Sequence, residues 1–114
     1  MLTELSARAI AVIDKGLQRL VTLADADAFY AGNTIFVITR ECGRDVKPLA
    51  EIPFQHHFNS RSALEVWAVI FGPAIGKGVI ENPVDQSAIV PTIAAAMGFA
   101  TFYAEGTARE GAFL

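Results

Sequence analysis

The sequence predicts an α/β domain: a partial parallel or mixed sheet flanked by helices. Three observations predict it. Apolar residues recur at helical spacing over residues 4–24. Two runs of β-forming residues, 34–39 and 64–71, lack the polar alternation of a half-exposed strand and so read as buried on both faces. The order helix, strand, long loop, strand, loop, helix is that of a sheet covered by helices.

Each element has its own warrant. In the first helix, Leu5, Ala9, Ile10, Ile13, Leu17, Leu20 and Val21 make one apolar stripe, and Arg8, Lys15 and Arg19 lie mostly on the other face. Thr3 is placed to cap it, Glu4 suits its first turn, and Asp14 is a face or cap charge. "DADAFYAGN" is a short connection ending in a Gly32-Asn33 turn. "TIFVIT" is the first strand. Residues 40–62 carry no period, and a loop beyond about 12–15 residues is usually functional or disordered. "LEVWAVIFG" holds the second strand, with Trp67 expected in the core. "GPAIGKG" has no Ser or Thr after its lysine, so it reads as a turn-rich connection and not a phosphate loop. A helix is expected at about 86–97, with Asp85 or Ser87 as its cap and Gly98 after its end. Pro91 kinks that helix if it starts at Asp85 and suits the first turn if it starts near Val90. Residues 99–114 form a mixed tail.

Composition bounds the function. A chain of 114 residues is one domain's worth. It is 53% hydrophobic and only 18% charged, against about 25% charged in ordinary domains, which fits a surface needing cover. The net charge is −3 and the cations are scattered singly, which excludes a nucleic-acid face and a polybasic membrane patch. The single cysteine, Cys42, excludes an internal disulfide. The charged start "MLTELSARAIAVIDKGLQRL" is no signal peptide, which points to a cytoplasmic protein, and no apolar run is long enough to span a bilayer.

The polar groups that crowd the end of the first strand, "RECGRD", are the candidate site, since such sheets bind ligands beyond the carboxyl ends of their strands. Cys42 is open to three readings: a small half-buried residue, a metal ligand or a reactive thiol. His56 and His57 are either ligands or a solvated loop pair. Glu41, Arg44 and Asp45 equally form an ion-pair cluster that keeps the loop soluble.

The pieces "AIAVIDKGLQRLV", "FYAGNTIFVITRECGRD", "HHF", "EVWAVIFGPAIGKG" and "DQSAIVPTIAAAMGF", in that order, resemble the C-terminal part of the alkaline phosphatase superfamily, which includes sulfatases and type I phosphodiesterases. The resemblance runs from about Ala7 to Gly98. It implies the C-terminal third of an alkaline-phosphatase-like fold and a parent activity of metal-dependent phosphate or sulfate ester hydrolysis, in which two cations, usually zinc, flank a Ser or Thr nucleophile. Glu41 stands where that superfamily has a strand-end aspartate, Cys42 where it has a histidine, Arg44 at the following arginine, and His56 or His57 at a later metal-binding histidine. The implied divalent-metal ligands are therefore Glu41, Cys42, His57 and His56, with Arg44 binding substrate.

The departures shape the expectation. Glutamate for aspartate moves the carboxylate out by about 1.5 Å. Cysteine for histidine offers a thiolate, which zinc accepts. The superfamily's nucleophile and remaining ligands belong to the portion before this one, and Thr39 is not at the nucleophile's position. The chain is expected to be a truncated or reduced member, inactive alone, with no catalytic residue of its own. A homo-oligomer, or a partner chain, is expected to cover the open sheet edge. The alternative is a non-catalytic α/β interaction domain that acts through oligomerisation.

Overall fold

The computed structural model describes residues 2–45, 55–56, 60–109 and 111. The chain is mixed α/β and forms two compact units, Met1–Pro73 and Ala74–Leu114.

The first unit begins with helix α1, Leu2–Ala26, which starts before Thr3 and so leaves that residue inside the helix instead of capping it. Its end is closed by Asp27, whose carboxylate accepts from the Phe29 amide at 2.8 Å. The aromatic connection then turns, with Gly32 at positive φ, Asn33 and Thr34 hydrogen-bonded back to Phe29 and Tyr30, and the Phe29 and Tyr30 rings edge to face. Only Leu17, Val21 and Ala24 of α1 are half-buried; the remaining described side chains of the helix are exposed.

Strand β1, Phe36–Thr39, pairs with β2, Ala68–Phe71, in register Phe36↔Phe71 to Thr39↔Ala68. The pair is antiparallel, which corrects the parallel or mixed sheet read from the apolar runs. The reason lies in the segment between the strands. It doubles back on itself, with the Gly43 amide donating to Ala63 O at 2.7 Å and the Asp45 amide to Gln55 O at 2.8 Å. It therefore returns as a long hairpin and not as a crossover. Burial on both faces is corrected too: Phe36, Val37 and Ile38 are half-buried and Val69 is exposed. The stacked rings of Phe36 and Phe71, 5.0 Å apart, hold the open end of the ribbon. The second strand is shorter than the expected 64–71, because Arg61–Leu64 forms a single helical turn, α2, braced by an i,i+4 pair between Arg61 and Glu65. Trp67 lies outside the core, 51% exposed.

In the second unit a 3-10 turn, Gln86–Ala88, leads into helix α3, Ile89–Ala96. Pro91 therefore falls in the first helical turn, where its missing N–H would have had no partner. The helix ends in a Schellman motif: Gly98, at φ 77°, donates to Ala95 O and Phe99 to Ala94 O. Thr92, buried on α3, donates to Ala88 O at 2.7 Å and accepts from the Arg109 amide at 3.0 Å, which ties the tail to the helix.

Asp85 caps the 3-10 turn by accepting from the Ser87 amide at 2.8 Å, and that hydrogen bond holds its carboxyl below the usual 3.8. The ionised form is the one the fold favours. Its contribution is fully present above that ordinary value and is lost as pH falls through the lower folded value. Asp85→Ala is expected to lower the melting temperature at neutral pH, and the gap from the parent protein should narrow in acid. A gap that does not change with pH would count against this cap.

Candidate functional site

The antiparallel pairing sets the exit of β1 against the approach to β2. Thr39 Oγ1 donates to Trp67 O at 3.1 Å across this junction. One turn on, Gly43 is buried, and a Cβ there would run into the carbonyl of Ser62. Only glycine allows the two segments to approach so closely. The pairing of Asp45 with Gln55 then returns His56 to the strand exit.

His56 Nδ1 lies 2.6 Å from Gly43 O and 3.2 Å from Cys42 Sγ. A carbonyl can only accept, so Nδ1 carries the proton. It donates to the carbonyl and also faces the sulfur, so in the neutral ring the lone pair is on Nε2. Cys42 is half-buried, whereas Glu41 and Arg44 are exposed and each has an interaction within the chain. Asp45 is buried at 2% exposure and also has a partner. The fold thus unites Cys42 and His56, two of the residues singled out in the sequence. Residue His57 lies outside the described residues.

A thiolate and an imidazole suit zinc, and two zinc ligands at tetrahedral angles lie about 3.5 Å apart, close to the observed sulfur-to-nitrogen distance. The same nitrogen is held by Gly43 O, however, and an ion on Nε2 would sit across the ring from Cys42. The two donors reach one ion only if His56 gives up the carbonyl. Among the described residues, no three of His, Cys, Asp and Glu are grouped to hold a metal. The hydroxyls around the loop are engaged as well. Thr39 Oγ1 also contacts Arg40 O, and Ser60 and Ser62 hydrogen-bond each other at 2.9 Å.

Gly43 is the residue that the sequence reading missed. Its signal was a glycine set between a thiol and a cation at a strand exit, a place where a close backbone approach is a standard reason for glycine. Comparison with family models, curated proteins and solved structures gives no match to this chain. No helix among the described residues is long and apolar enough to cross a membrane.

Proposed function

We propose that this chain is a non-hydrolytic interaction module, a reduced relative of the alkaline phosphatase superfamily that works through a second copy or a partner chain covering its apolar surface. One observation carries the reading. Among the described residues the buried hydrophobic side chains are three alanines, Ala63, Ala88 and Ala94, while Leu, Ile or Val side chains stand exposed on α1, α2, β2 and α3. Burying one such side chain is worth about 1.5–3 kcal/mol, and contiguous exposed apolar patches mark interaction surfaces. The engaged hydroxyls of the strand-exit loop fit a chain that supplies no nucleophile. Ester hydrolysis of the parent type would require another chain to provide one.

Sedimentation velocity over a concentration series tests this. The expected mass exceeds 12.2 kDa, that of one chain, and aryl phosphate and aryl sulfate stay uncleaved. A strict monomer that binds no other chain, or turnover by the isolated chain, overturns the reading.

A second reading, divalent metal binding with zinc foremost, is favoured by the closeness of Cys42 Sγ and His56 Nδ1. Zinc at one hundred times its Kd should then add about 2.7 kcal/mol of stability, removed by chelator and absent in Cys42→Ala and His56→Ala. An unchanged melting temperature at hundredfold zinc excess would eliminate it.

A further inference from the structure

The apolar sector of α1 is wider than the part the chain covers. Around the helix, Val12, Leu5, Leu23, Leu20 and Ile13 follow one another at steps of at most about 60°, and next come Ala24, Leu17, Ile10 and Val21. The second group is half-buried except for Ile10, which is 66% exposed. The first is open, from 53% exposed at Leu20 to 70% at Val12.

Charge distinguishes the borders of the open group. Arg8, Lys15 and Arg19 are spaced seven and four residues apart and run beside Val12 and Leu5 along the outer border. All three are exposed and make no ion pair among the described residues. Of the acidic residues, Asp14 and Asp25 lie beyond Val21, at the other margin of the apolar sector, and Glu4 lies outside Lys15 on the cationic side.

We propose that this open strip of α1 receives a partner helix whose apolar ridge is edged by carboxylates, an inference that rests on the interaction reading above. The ridge fills the strip between Val12 and Ile13, and its acids face Arg8, Lys15 and Arg19. Charge disfavours a second copy of α1 as the occupant. An antiparallel two-fold pair brings like borders together and sets Arg8 against Arg19. A parallel pair needs the opposite border, where Leu17 and Ala24 are already half-covered. An anionic membrane is disfavoured for a related reason: lying flat on lipid requires the whole apolar sector, and α1 carries three acidic residues, Glu4, Asp14 and Asp25, against its three cations.

Two labelled amphipathic peptides with the same leucine ridge, one edged by glutamates and one by lysines, test this by fluorescence anisotropy with the full chain. The glutamate-edged peptide should bind about tenfold more tightly, and the preference should shrink in high salt. The exposed triple variant Arg8→Glu, Lys15→Glu, Arg19→Glu should reverse the preference, and Val12→Lys should abolish binding of both peptides. Vesicles containing phosphatidylserine should not pellet the chain. Equal binding of the two peptides, binding of neither, or vesicle binding that displaces the glutamate-edged peptide overturns the proposal. If the chain self-associates while neither peptide binds, the interaction reading stands and this inference falls. If it is monomeric and binds neither, both fall.

Discussion

Gly43→Ala is expected to destabilise the first unit by about 3 kcal/mol, at the upper end of overpacking effects, and to part His56 from Cys42. The added methyl points at the Ser62 carbonyl, which belongs to the turn facing the loop. Relief requires the two segments to separate. That lengthens the bond from the Gly43 amide to Ala63 O and moves the carbonyl that fixes the His56 ring. Urea denaturation followed by circular dichroism reads the stability. The Nδ1 proton resonance of His56 reads the local geometry, and it should broaden or vanish as the ring is released to water. Full stability with an intact Nδ1 signal would show that the backbones are not so close.

Thr92→Val is expected to cost about 1–2 kcal/mol in the second unit, despite its nearly unchanged volume. The hydroxyl is buried, and it both donates to Ala88 O and accepts from the Arg109 amide. Valine leaves Ala88 O with one bond fewer and Arg109 N without its acceptor. The clearest readout is hydrogen exchange at the Arg109 amide, which should accelerate in Thr92→Val and stay slow in Thr92→Ser. If Arg109 exchanges at the same rate in both variants, the hydroxyl does not hold the tail.

Local features of the fold were legible in the sequence because local physics sets them. The apolar period marked α1 almost to its ends, Asp85 was one of two cap candidates beside Ser87, and of the two places open to Pro91, a kink or a first turn, the helix takes the second. β1 was visible as a run of β-formers, trimmed from 34–39 to Phe36–Thr39. Strand direction was not legible. Apolar runs suit either direction, and the antiparallel choice depends on Gly43 meeting Ala63 across the loop. The reading of residues 64–71 as one strand failed at its start, because Ser60 to Glu65 can satisfy their own backbone in a helical turn. At the candidate site the resemblance pointed to Glu41, Cys42, His57 and His56; the fold brings Cys42 and His56 together, and His57 lies outside the described residues. No spacing rule could say which imidazole nitrogen would face the sulfur, since the Gly43 carbonyl decides it.

The long hairpin also bears on the order in which the chain folds. The first contact between β1 and β2 closes a loop of roughly 28 residues, from Thr39 to Ala68. Chain entropy opposes that closure by roughly 3 kcal/mol beyond a constant, before four residue pairs can return anything. Helices α1 and α3 need no such closure and can form early. The ribbon, and with it the meeting of Cys42 and His56, is therefore assembled late. Halving the span between the strands would lower the closure cost by about 0.6 kcal/mol and speed refolding about threefold.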